Sequence, residues 1–313
     1  MPWTNVQLVA NVRDRTNINQ DNPKASYNNA TYNSFNQNLI QGQVHSVSVN
    51  EVNFPYDIPN VQEGYNRFYI DTVVGLSLVP VIVIAPGFYT GTELAAAVNA
   101  QITAQGALVP TPILPASMPT LSYNTTSNIF TFNAPTAPAA PQYNQWFFQS
   151  PYTYPYGLAA VPKTLSKDIM SIMGFLPSQE PRVNSVGPVN LVAGASAPLT
   201  FTQYIDICSP ELCQYQYFRD GSTTNLARRS DVICRLYISN NVSTQEEEGA
   251  RPFVINRQFN NARVMRWSAE SSVGSMSIQL YDDCGQPLQT TWLPRPYQIT
   301  FNVYEQDKDG ITY

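Results

Sequence analysis

From Ser275 onward the chain alternates apolar and polar side chains with a period of two, and this constrains its fold more than any other feature. Met276, Ile278 and Leu280 alternate with Ser277, Gln279 and Tyr281; Tyr297, Ile299, Phe301 and Val303 alternate with Gln298, Thr300, Asn302 and Tyr304. Successive side chains of a strand point to opposite faces, so each run has one face to bury and one to wet. Between them lies Asp282-Asp283-Cys284-Gly285-Gln286-Pro287, a turn cluster in which Gly supplies a positive φ and Pro ends a ladder. The pattern predicts a half-buried pair of strands and a β protein that closes its sheet with its last residues.

Upstream, Val47 and Val49 alternate, the register slips by one near Glu51, and Val52 and Phe54 alternate again before Pro55 and Pro59. Such a slip predicts a β-bulge in a long strand. Arg67–Thr72 reads as a short strand, and the continuous β-branched run Val81–Ile84 as one covered on both faces. Thr90 and Glu93 fit a capping box, followed by Leu94, Val98 and Ile102 on one helical face, with an end near Gly106. Leu121–Tyr123 and Ile129–Phe132 flank Asn124–Asn128 as a hairpin. Leu165–Met173 reads as a short helix stopped by Gly174. Thr200–Ile207, Val232–Ser239, Phe253–Phe259 and Arg263–Trp267 complete the strands. Strands in series, two short helices and long loops predict an all-β fold: a single antiparallel jelly roll, as a β-sandwich or barrel, and not βαβ units.

Residues 1–42 read as an extended N-terminal arm, leaving 43–313 as the jelly-roll domain with insertions around 133–163 and 208–229. Asp14–Pro23 is almost wholly polar, and such a segment offsets its ordering entropy only by lying on a partner or on the body of the protein. Trp3, Tyr27, Tyr32 and Phe35 are anchors that a mere tail does not need. The expectation is an arm that orders on assembly, whose removal (residues 1–40) spares the fold.

Only 12% of residues are charged, about half the usual share. Few charges then have to lose water at a contact with other protein, which suits an assembling surface. A net charge of −5 argues against a basic face tracking phosphates, so no nucleic acid is expected. Arg228 and Arg229, with Arg235 beyond, read as a solvated loop edge. No apolar run reaches the roughly eighteen residues of a transmembrane helix, and Met1-Pro2-Trp3-Thr4 shows no secretory signal, which reads as synthesis in the cytoplasm.

The four cysteines, Cys208, Cys213, Cys234 and Cys284, form no C-x-x-C pair, and His45 is the one histidine; neither a metal nor a cofactor is expected. Buried thiols are the default, with a Cys208–Cys213 or Cys234–Cys284 bridge left open for a particle that leaves the cell. No catalytic motif is present. Asp282 and Asp283 beside Gly285 read as turn caps, and neither Asp206 nor Glu211 points to catalysis. The chain does not read as an enzyme.

The segment Ala85-Pro86-Gly87-Phe88-Tyr89-Thr90, leading into Leu94–Asn99, resembles a strand–"PG-x-Y-T"–helix element of minor capsid and penton proteins. These belong to large eukaryotic DNA viruses, virophages and related elements. Ile278–Asp282, Gly285, Leu288 and Tyr297–Glu305 resemble the closing strand, Asp–Gly turn and last strand of the same proteins, and Val47–Ile58 resembles their opening strand. The resemblance implies a single jelly roll in an icosahedral shell, as a homopentameric penton or another minor capsid protein. The implied partners are the major capsid protein and other minor capsid proteins. The chain is too short and singly patterned for the double-jelly-roll major capsid protein itself. The alternative is a carbohydrate- or receptor-binding β-sandwich, with Trp146, Phe147, Phe148, Tyr152, Tyr154 and Tyr156 stacking on sugars instead of packing at an interface.

Overall fold

Both C-terminal alternating runs form strands, but in different sheets. The computed structural model describes residues 4–18, 21–22, 24–33, 39–40, 43–72, 81–108, 118–133, 146–149, 168–175, 190–213, 231–238, 252–267, 272–289, 293 and 295–306. Its contacts divide the chain into two units: Met1–Ile58 with Thr202–Ser239 and Pro252–Tyr313, and Pro59–Phe201 with Asn240–Arg251. In chain order the elements are β1 (Thr4–Asn11), β2 (Asn29–Asn33), β3 (Gln43–Tyr56), β4 (Arg67–Thr72), β5 (Val81–Val83), α1 (Gly91–Leu108), β6 (Thr120–Asn124) and β7 (Ile129–Asn133). There follow β8 (Trp146–Gln149), α2 (Ile169–Ile172), β9 (Leu191–Val192), β10 (Tyr204–Cys208), α3 (Pro210–Cys213), β11 (Val232–Tyr237), β12 (Phe253–Gln258), β13 (Val264–Arg266), β14 (Ser275–Asp282) and β15 (Gln298–Gln306).

In the first unit one sheet has the order β1-β15-β3-β12, with β13 also on β3, and the other the order β11-β10-β14-β2. Taking β12 and β13 as one interrupted strand, the strands of the unit pair first with eighth, second with seventh, third with sixth and fourth with fifth, all antiparallel. A long two-stranded ribbon rolled on itself gives that pairing, which is the jelly roll. The expected bulge is present: Thr300 pairs Glu51 while Phe301 pairs Val49, leaving Asn50 as the extra residue, and a second shift leaves out His45. Ala10, Val47, Val49, Val52, Phe54, Ile299, Phe301 and Val303 from the first sheet, and Ile205, Ile207, Leu236, Ile278 and Leu280 from the second, are buried.

The turn after β14 works as the sequence predicts. Asp282 Oδ1 accepts from the Cys284 and Gln286 amides at 2.9 and 2.8 Å, and Gly285 has φ 74°. The chain then leaves β14 for the other sheet, so β14 and β15 are not a hairpin. A polypeptide that changes sheets between strands still presents period two in each, which is why the alternation alone did not separate the two cases.

The described residues within 1–42 are not separate from this fold. β1 pairs residue for residue with β15 from Thr4 to Asn11, and β2 with β14. The guanidinium of Arg15, itself only 3% exposed, donates to Val12 O and Ser26 Oγ and lies 4.7 Å from the Tyr27 ring centre. The run thus lies on the chain's own body where it is described, Thr16 N–H donating to Thr31 O and the Asn17 side chain to Asn29 O, the other way for such a segment to recover its entropy.

Burial holds the phenols of Tyr32, Tyr56 and Tyr297 above the ordinary tyrosine range, opposed weakly by Arg15 near Tyr32 and Tyr297 and by the Thr202 backbone near Tyr56. The neutral form is favoured on folding, so this stabilisation is whole below about pH 10 and lost above it. Each phenol held back in this way removes about 1.4 kcal/mol per further pH unit. The first unit is expected to unfold cooperatively above pH ~10, with these tyrosines ionising (absorbance at 295 nm) only as near-UV circular dichroism is lost. Ionisation of every tyrosine near pH ~10 with a native spectrum contradicts this.

In the second unit the sheets are β5-β4-β8 and β6-β7-β9. Helix α1 starts as the capping box requires: Thr90 N–H donates to Glu93 Oε2 at 2.9 Å and Glu93 N–H to Thr90 Oγ1 at 3.2 Å. Leu94, Val98 and Ile102 are buried with Phe68, Ile70, Ile82, Phe130, Phe132, Met170 and Phe175 in one core. Asn60, 1% exposed, ties three loops: it donates to Tyr89 O and Leu199 O and accepts from Tyr89 N–H. The hairpin β6–β7 forms with Asn128 at φ 55°. Val81–Ile84 is not covered on both faces: β5 is an edge strand whose Ile82 is buried and whose Val83 is 41% exposed. The β-branched run therefore reflects propensity and not double burial. Of the expected insertions, 134–145, 150–163 and 214–229 lie outside the described residues. The segment between third and fourth jelly-roll strands instead forms most of the second unit, Pro59–Phe201, and the "PG-x-Y-T"–helix element lies inside it.

Candidate assembly surfaces

The first sheet of the jelly roll has an outer face almost without charge. Register places Asn11, Gln298, Asn53 and Asn256 side by side across four strands, a row of amides. The next rows are Val9, Thr300, Glu51 and Gln258, then Gln7, Asn302, Ser48 and Val264, then Asn5, Tyr304, Ser46 and Arg266. Among them only Glu51 and Arg266 are charged; Thr300, Ser46 and Ser48 in the two central strands are already buried, while Val9 and Val264 are each 51% exposed and Val254 beyond them 54%. Amides and small apolar groups lose water at far less cost than ions, so this face suits burial against protein.

The second sheet carries a different patch. Arg235 on β11 donates from Nε to Asp206 Oδ1 at 2.6 Å and from Nη2 to Oδ2 at 3.0 Å. Its guanidinium lies 3.9 Å from the centre of the Tyr204 ring, and Tyr237, edge-on to Tyr204, is 65% exposed. The bidentate hydrogen bond to Asp206 raises the Arg235 pKa further, so the fork is fixed and charged. Fixed arginine and exposed tyrosine are the residue types that dominate protein interfaces. Arg235 is therefore not a solvated loop edge; Arg228 and Arg229 lie outside the described residues. Sequence alternation marks Tyr204 and Asp206, and Arg235 and Tyr237, as sharing faces of their strands, but the register that joins them is not local information.

Of the anchors expected from sequence, Tyr27 and Tyr32 are buried in their own chain at 8% and 5% exposure, which leaves little of either for a partner. Trp146, Phe147 and Phe148 form β8 on β4. Trp3, Phe35, Tyr152 and Tyr154 lie outside the described residues, as does Tyr156.

The carboxylates singled out earlier serve the fold. Asp283 Oδ2 accepts from Gln203 N–H at 3.0 Å, and Glu211 accepts from the Ser277 amide and hydroxyl at 3.0 and 2.9 Å. Asp282, Asp283 and Cys284 lie close enough together to share an ion, but Asp282 Oδ1 already accepts from two turn amides. None of the four cysteines is in a disulfide; burial pushes Cys213 up to about 11 and Cys234 further, which keeps both as unreactive thiols. His45 is the bulged residue of β3, with its ring on the solvent side. Among the described residues no helix is long and apolar enough to cross a membrane.

Comparison with solved structures gives a match along nearly the whole chain. The crystal structure of the mavirus penton protein superposes with a TM-score of 0.52 and 13% identity, covering 96% of this chain and 99% of that one. A chain of the Sputnik virophage structure, determined by cryo-EM, gives a TM-score of 0.46 and 11% identity over 97% and 98%. No protein-family model and no curated protein sequence matches the chain. The first match shows a shared fold, and it falls in the group that the residues around 85–99 and 278–305 resemble.

Proposed function

We propose that the chain is a structural protein of an icosahedral virus particle, a penton or another minor capsid protein. It is synthesised in the host cytoplasm and built into the capsid, where its neighbours are the major capsid protein and other minor capsid proteins. It has no catalytic role. The observation that carries this reading is a fold, jelly roll included, shared over 96% of the chain with the mavirus penton protein. The sparsely charged outer face of the first sheet and the arginine–tyrosine patch of the second supply surfaces that other capsid subunits can cover.

A penton sits on a fivefold axis, so the purified chain is expected to run as a ring of five copies in sedimentation and in negative-stain images. A chain that remains monomeric at all concentrations and binds glycans on an array overturns this in favour of a carbohydrate-binding sandwich.

A further inference from the structure

The first sheet of the jelly roll ends in two unpaired strand edges. In an antiparallel ladder, alternate residues turn both backbone groups to the same neighbour. Val12 N–H donates to Tyr297 O, so the even-numbered residues of β1 bond β15, and Asn5, Gln7, Val9 and Asn11 turn their N–H and C=O outward. Phe259 N–H donates to Asn50 O, so the odd-numbered residues of β12 bond β3, and Val254, Asn256 and Gln258 turn outward. Among the described residues no strand pairs with either row. Native sheets usually blunt such edges with Lys, Pro or a bulge. Neither strand holds Lys or Pro, β1 holds no charge, and the ladders of β1 and β12 run without a shift.

We propose that these two edges are the joint between copies of this chain, β1 of one copy adding to β12 of the next. The inference rests on the shell-protein reading and names its subunit contact. The sheet has four antiparallel strands across, so β1 and β12 run in opposite directions. Rotation about an axis parallel to the strands preserves their direction and brings the neighbour's β1 antiparallel to β12. The same rotation keeps the levels of the ladder. Asn11 of the neighbour then meets Asn256, and Val9 meets Gln258, each pair with its free N–H and C=O facing the other. Outward donors meet outward acceptors, and no formal charge of either edge row is buried. The amide row Asn11–Gln298–Asn53–Asn256 continues across the joint into the next copy's Asn11. Such a contact is head-to-tail, the kind that closes rings.

The test uses the full chain with Cys284→Ser, carrying Asn11→Cys and Asn256→Cys together and separately, treated with a short thiol cross-linker. The double variant is expected to give covalent multimers ending at a closed ring, and each single variant none. Val9→Pro removes an outward N–H without touching the β15 ladder; it is expected to leave the melting of the chain unchanged and to abolish the multimers. Multimers from Asn11→Cys alone indicate a twofold β1–β1 contact and overturn the proposal. A native oligomer that gives no cross-link in the double variant overturns the joint but leaves the shell-protein reading standing, whereas a chain monomeric throughout overturns both.

Discussion

Deleting residues 1–40 is expected to unfold the jelly roll, not merely to weaken assembly. The deletion strips β1 from β15 along its whole length and β2 from β14, leaving the two central C-terminal strands each with a bare edge. It also removes Val12, Tyr27, Tyr32 and Ile40, all at most 8% exposed. Burying a large apolar side chain contributes about 1.5–3 kcal/mol, so these four alone account for some 6–12 kcal/mol. That is the size of a whole domain's net stability, about 5–15 kcal/mol. The truncated chain should be insoluble, or soluble without a cooperative melting transition. A truncated chain that melts like the full one, while failing to assemble, would restore the reading of these residues as an arm.

That reversal shows where local sequence stops being informative. Asn, Gln and Ser are frequent in residues 14–40, where β2 lies at the end of its sheet and residues 24–28 before it form turns; nothing within the segment says that Ala30 and Tyr32 face a core built from residues far along the chain. The capping box at Thr90, the bulge at Asn50, the stop at Gly174 and the Asp282 turn were legible because each is decided within a few residues. The placement of β14 and β15 in different sheets, and of most of a second unit (Pro59–Phe201) between β3 and β10, depends on long-range pairing that period-two alternation does not encode. The assembly surfaces fall between these cases. Low charge announced that a large uncharged face exists, but the amide row emerges only when four strands from three parts of the chain are aligned. The aromatic anchors chosen from sequence were large apolar groups, and two of them are buried for the ordinary reason that large apolar groups usually are.

Gly174→Ala is expected to cost the second unit about 2–5 kcal/mol. Helix α2 has one turn, and its end is fixed by two hydrogen bonds: Gly174 N–H to Ser171 O at 3.0 Å and Phe175 N–H to Met170 O at 3.0 Å. This is the Schellman pairing, with Phe175 and Met170 both in the core of the unit. It requires the φ of 83° that Gly174 adopts, which costs a residue with a side chain about 1–2 kcal/mol. A Cβ at this position also meets the backbone oxygen of Ala195 well inside van der Waals contact. Ala195 cannot simply rotate away, because its own N–H donates to Gly174 O; relieving such overpacking adds about 1–3 kcal/mol. Gly64→Ala supplies the control, since Gly64 has φ 87° but nothing within 4 Å of its Cβ position. Hydrogen exchange of the α1 amides should therefore accelerate much more in Gly174→Ala than in Gly64→Ala, with the β15 amides unchanged in both. Equal acceleration in the two variants would mean that backbone conformation alone sets the cost and that the Ala195 contact relaxes freely.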